Sequence, residues 1–145
     1  MRLLNFKLFR TTGEVVISAI GLKFDLHNLA EYEGMTVGID GTVKLKWIVL
    51  QNPHRPDDCL FTGCTLTFRG MRLLNVGGRD IDMPSSEDKT LHGIYHVLPG
   101  DFKPYLKSKK TKEWLMDDPF HLLFEFRGGL SIEIDAEESE FQAQK

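Results

Sequence analysis

Phe120-His121-Leu122-Leu123-Phe124-Glu125-Phe126-Arg127-Gly128-Gly129-Leu130-Ser131-Ile132-Glu133-Ile134 is the stretch whose reading decides the fold. Phe120, Leu122, Phe124 and Phe126 alternate with His121, Leu123 and Glu125; beyond Arg127-Gly128-Gly129, Leu130, Ile132 and Ile134 alternate with Ser131 and Glu133. Period-two alternation marks a half-buried strand, and two such runs around glycines mark an antiparallel hairpin. The loop length follows from which side chains share a face. A two-residue Gly128-Gly129 loop sets Phe126 against Ser131 and Phe124 against Glu133, whereas a three-residue Arg127-Gly128-Gly129 loop pairs Phe126 with Leu130, Phe124 with Ile132 and Leu122 with Ile134. A slip of one residue turns a whole apolar set to the wrong face, so the longer loop is expected. It is a type I turn followed by a left-handed residue, which Gly129 supplies without steric cost.

The same arithmetic applies further out. An Ile39-Asp40-Gly41 loop pairs Val37 with Val43 and Met35 with Leu45, with Trp47 and Val49 continuing that face. A Thr11-Thr12-Gly13 loop pairs Leu8 with Val16 and Leu4 with Ile20. Residues 60–68 read as a strand with Gly63 as a bulge, residues 71–76 as a strand pairing back on it through Arg69-Gly70, and residues 90–98 as a strand ending at Pro99-Gly100. Residues 26–33 suit a short helical turn. Residues 51–58 and 77–89, rich in Pro, Gly, Ser and Asp, suit loops. Residues 101–118, ended by Pro119, are the best helical candidate. The acidic tail, residues 136–145, is expected to fray. The expected fold is mainly β, a single domain over residues 1–145: an antiparallel sandwich or partly open barrel of about eight strands with one or two short helices.

Composition narrows the function classes. The net charge is −3, and the pull of phosphate on basic groups makes an acidic chain a poor nucleic-acid binder. The N-terminus lacks the apolar run of a signal peptide, and no stretch reaches the ~18 apolar residues of a membrane helix. Cys59 and Cys64 are too few for a disulfide framework, so a cytoplasmic compartment and buried free thiols are the expectation.

No chemical constellation stands out. His92 and His96 on a strand lie about 13 Å apart, too far for one metal ion, and the second ligand pair that Cys59 and Cys64 need for zinc is missing. No G-x-S-x-G elbow or phosphate-binding glycine loop is present. No cofactor is implied. Asp57-Asp58 and Asp80, Asp82, Glu87 and Asp88 are acidic loop residues, which ordinarily are solvated. Lys103, Lys107, Lys109, Lys110 and Lys112 interleave with Phe102, Tyr105 and Trp114, the pattern of an anionic-partner surface or of a solvated helix face. Phe102, Tyr105, Lys107, Lys110 and Trp114, with Asp80 and Asp82, are the candidate partner contacts.

Residues 118–137, running from Asp118-Pro119 through the opening hairpin to Asp135-Ala136-Glu137, resemble the closing hairpin of small bacterial β-rich proteins, some of them immunity proteins of toxin loci. The resemblance carries no functional residue across. It implies a non-enzymatic binding protein, in one form an immunity-type inhibitor of a protein partner. A barrel holding a small apolar ligand, with some of the ten Phe residues lining it, is the second expectation. A hydrolase using loop carboxylates is the third, and self-association into a homodimer is the remaining partner expectation.

Overall fold

The computed structural model describes residues 1–8, 15–50, 61–97 and 120–145. Its strands are β1 (Arg2–Leu3), β2 (Phe6–Leu8), β3 (Val16–Ala19), β4 (Leu22–Asp25), β5 (Ala30–Val37), β6 (Val43–Val49), β7 (Gly63–Gly77), β8 (Leu91–Val97), β9 (His121–Phe126) and β10 (Ser131–Gln144), with a 3-10 helix at Ser85–Lys89. The order β5-β6-β7-β10-β9-β8 forms one curled antiparallel sheet, a half-barrel, to which β1 adds in parallel beside β10; β2-β3-β4 form a second, small sheet. The expected class, mainly β with a partly open barrel, holds.

Two glycine-closed hairpins form in the expected register. Phe124 faces Ile132 and Leu122 faces Ile134. Phe126 N–H donates to Leu130 O at 2.9 Å, and Gly129, at φ +84°, donates to Phe126 O at 3.0 Å. Val37 likewise faces Val43 and Met35 faces Leu45, with Gly41 at φ +74°.

The N-terminal hairpin differs by one residue: Leu8 faces Ile17 and Phe6 faces Ala19, not Leu8 with Val16 and Leu4 with Ile20. Residues 11–13 lie outside the described residues. The cause is a turn at the other end of β3, where Ile20 (φ +49°) and Gly21 (φ +78°) form a two-residue connection setting Ala19 against Leu22 and Ile17 against Phe24. Both central residues left-handed is the type I′ hairpin turn, which matches strand twist.

Three further expectations are corrected. Arg69-Gly70 is no turn, because β7 runs through it; Gly70 takes φ +66°, and the ladder to β10 shifts register between Asp135 and Ala136, leaving Arg72 as an extra residue. A β-bulge, not a reversal, uses that glycine. Residues 26–33 turn only at 26–28, where the Asp25 carboxylate accepts from the backbone N–H of His27 and Asn28 at 3.0 Å each, and then enter β5. The tail does not fray: β10 continues to Gln144, paired with β7 throughout, with Ser139 and Phe141 buried. The expected helix at 101–118 and loop at 51–58 fall outside the described residues, whereas residues 91–97 form the expected strand.

The long β7–β10 ribbon explains the curl. Along β10 the buried residues are Ile132, Ile134 and Ala136, then Ser139 and Phe141. The interval of three means that the ribbon turns its opposite face inward at the bulge. Trp47 and Phe68 from one half thereby meet Phe124 from the other, with ring centroids 6.2 and 6.1 Å apart. Tyr32 stacks on Phe126 at 4.6 Å. The small sheet closes one end, Phe24 packing on Phe141 at 4.8 Å. Beyond β1, Asn5 acts as a missing strand: its amide donates to Phe141 O and accepts from Phe141 N–H, both at 2.8 Å.

Candidate partner-binding surface

Of the seven candidate contacts, Phe102, Tyr105, Lys107, Lys110 and Trp114 fall outside the described residues. Asp80 and Asp82 lie together in the segment between β7 and the 3-10 helix, which wraps over the tip of the β9–β10 hairpin. Three backbone bonds fasten it and the 3-10 helix that follows: Asp80 N–H to Gly128 O at 2.8 Å, Gly128 N–H to Glu87 O at 3.2 Å and Arg127 N–H to Thr90 O at 3.0 Å. Both glycines are required by this contact, and Gly129 by the turn as well. A Cβ on Gly128 would collide with Asp88 Oδ1, and one on Gly129 would lie 2.8 Å from Asp80 N.

The segment is also tied internally. The Asp80 carboxylate accepts from Asp82 N–H at 3.0 Å, and Met83 N–H donates to Asp80 O at 3.2 Å. Arg79 pairs with Asp88 at 2.7 Å and donates to Met83 O at 2.6 Å. Arg127 approaches Glu87 at 3.8 Å, and Lys89 approaches Glu31 at 3.7 Å. Three of the carboxylates that composition offered for catalysis are thus engaged in the loop's own structure, Asp80 in a turn and Asp88 and Glu87 with arginines, while Asp57 and Asp58 lie outside the described residues.

What the loop presents outward is apolar. Ile81, between the two candidate aspartates, is 86% exposed, and Met83 is exposed beside it. Neither was found from sequence; the acidic–apolar alternation Asp80-Ile81-Asp82-Met83 inside a loop was the available signal. Single exposed apolar side chains are ordinary on a protein surface, and Ile39 on the β5–β6 turn is more exposed still at 112%; what Ile81 adds is an exposed apolar neighbour, Met83, on a loop held by hydrogen bonds.

Among the described residues the histidines and Cys64 do not converge. His92 is the extra residue of a bulge in β8, His96 stacks on Phe120 at 4.7 Å, and His121 Nε2 lies 3.1 Å from Glu133 Oε1 on the outer face of β9 and β10. Among the described residues no three His, Cys, Asp or Glu side chains are arranged to hold a metal ion. Cys64 is buried and unpaired, and burial pushes its thiol up to about 12. Cys59 lies outside the described residues. Among the described residues no helix is long and apolar enough to cross a membrane.

Compared with protein-family models, with curated proteins and with solved structures, the chain has no match in any of the three.

Proposed function

We propose that the chain is a non-enzymatic protein-binding domain, of the inhibitor or immunity type, that inserts Ile81 into an apolar pocket of its partner. The observation that carries this reading is the hydrogen-bonded loop that holds Ile81 at 86% exposure between Asp80 and Asp82. A loop already fixed in its binding shape avoids the ordering cost of association. An apolar anchor flanked by two aspartates favours a pocket with basic groups at its rim, and such central anchors contribute about 2 kcal/mol or more at interfaces. The aromatic packing of Trp47, Phe68, Phe124 and Phe126 inside the half-barrel favours this reading over a ligand carrier, because those rings occupy the space a ligand would need.

The test is retention of a partner from extract of the source cell on immobilised protein, run beside Ile81→Asp. A protein held by the natural chain and lost with the variant supports the reading. Equal retention by both, or none by either, refutes it.

A further inference from the structure

A sheet edge offers unpaired N–H and C=O groups, and natural proteins blunt such edges with charge, bulges, short length or caps. Most edges here carry such a device. The β5 edge has Glu31 and Glu33 and a register shift between Tyr32 and Gly34. The β8 edge is bulged at His92, and Leu91 O accepts from His27 Nδ1 at 2.6 Å. The β10 edge beyond β1 is capped by Asn5. β4 has 4 residues, among them Lys23 and Asp25.

Residues 73–77 of β7 are different. β6 pairs β7 only from Gly63 to Phe68, so beyond that point β7 has β10 on one side and, among the described residues, no strand on the other. The sequence there, Leu73-Leu74-Asn75-Val76-Gly77, holds no charge and no proline. Leu73 and Val76 are 40% and 48% exposed. Arg72, the extra residue, marks where this regular edge begins, and its guanidinium is held bidentate by Asp135 at 2.7 and 3.0 Å.

The direction of the free groups follows from the ladder. Phe126 N–H donates to Leu130 O, so even-numbered residues at this end of β10 turn toward β9 and Ser131, Glu133 and Asp135 turn toward β7. Their partners are Gly77, Asn75 and Leu73. Leu74 and Val76 therefore point their N–H and C=O away from β10, to the side where no described strand pairs with them.

We infer that this edge pairs with the same edge of a second copy, antiparallel about a two-fold axis, making one sheet continuous across a dimer. Setting Leu74 opposite Val76 of the second copy, with Asn75 opposite Asn75, satisfies all the outward groups in about four interchain hydrogen bonds. Leu74 and Val76 of both copies then share one face. Leu73 lies over the second copy's Gly77, which has no side chain to obstruct it. The charges also fit: Arg72 falls opposite Gly78 and Arg79 opposite Met71, so no arginine faces another. A self-complementary patch is what a closed two-fold dimer requires. The inference is independent of the Ile81 loop.

Sedimentation velocity of the full chain from micromolar to sub-millimolar concentration tests it, with Val76→Lys and Val76→Pro as variants. Proline is tolerated here because, among the described residues, the Val76 N–H has no partner. A concentration-dependent dimer is expected, with at least a tenfold weaker association in both variants at unchanged circular dichroism and no change in Ile81→Asp. If Val76→Pro misfolds, Val76→Lys alone decides. A natural chain that stays monomeric across the range, or a dimer that survives Val76→Lys, overturns the inference.

Discussion

Ile20 is the sharpest place to test the folding argument, because two physical terms oppose each other there with known signs. It sits in a left-handed conformation, φ +49°, in the turn that fixes the register of β3 and β4. For a residue with a Cβ that conformation costs about 1–2 kcal/mol, and a β-branched side chain belongs at the upper end; asparagine and glycine adopt it routinely. Against this stands burial, yet Ile20 is 63% exposed, so roughly a third of the ~2 kcal/mol that a buried isoleucine supplies is all it can contribute. Ile20→Asn is therefore expected to stabilise the fold by about 0.5–1 kcal/mol. In urea, with a slope of about 2–3 kcal/mol/M for a chain of this size, the midpoint should rise by roughly 0.3 M at unchanged slope. Gly21→Ala supplies the converse. Gly21 has φ +78° and open space where a Cβ would go, so a loss of about 1 kcal/mol would come from conformation alone. If Ile20→Asn lowers the midpoint while Gly21→Ala leaves it unmoved, the turn is not type I′ and the register assigned to β2, β3 and β4 is wrong.

Asn5→Ala strands the Phe141 N–H and C=O in a buried position, which should cost about 2–3 kcal/mol by thermal denaturation; a loss under ~0.5 kcal/mol would mean water replaces the amide freely. Removing residues 137–145 takes away the β10 partner of β7 residues 63–69 together with Phe141, so the truncated chain should lose its cooperative unfolding transition, and a truncated chain that still melts sharply contradicts the assignment of β10. Alkaline stability carries a third signal. Cys64 moves from an ordinary 9.0 to about 12 through burial, so its contribution is complete below pH 9 and is lost as pH rises from 9 toward 12, at up to about 1.4 kcal/mol per pH unit. Tyr32, moved from 10.0 to about 12 by burial, adds the same sense of change above pH 10. Cys64→Ala should flatten the stability profile between pH 9 and 10, and an unaltered slope would show that the thiol is exposed to solvent.

Where local patterning had one solution, the sequence was enough. Phe124 with Ile132 and Met35 with Leu45 could be paired on paper because only one register keeps each apolar set on one face. Val15-Val16-Ile17-Ser18-Ala19-Ile20 offers apolar residues in both parities, so the same test could not choose between Val16 and Ile17 as the partner of Leu8. The deciding feature, a left-handed isoleucine, runs against the residue preference of its turn. Residues 63–77 fail for a related reason: a strand that changes its inward face midway is apolar in both parities, and Gly70 then looks like a reversal. The acidic, polar tail suits a frayed end on composition alone, because composition does not show what Glu138 and Glu140 pair with. Their partners, Arg2 at 2.9 Å and Arg69 at 3.0 Å, lie far away in the chain.

The candidate surface was legible in the same uneven way. Asp80 and Asp82 could be picked out as loop carboxylates, but the Asp80 carboxylate accepts from the Asp82 backbone and helps fix the loop, and the exposed residue between them is the one without charge. Composition counts what a loop contains. It does not tell which side chains the loop spends on its own geometry and which it leaves facing out. That division depends on Gly128 and Gly129, nearly fifty residues away in the chain, whose missing side chains let the loop settle on the hairpin. Any side chain at Gly128 should release the segment and, with it, the fixed presentation of Ile81. The glycines of the hairpin therefore have a role beyond its register: one of them holds the turn in shape, and both admit the loop on which the proposed contact depends.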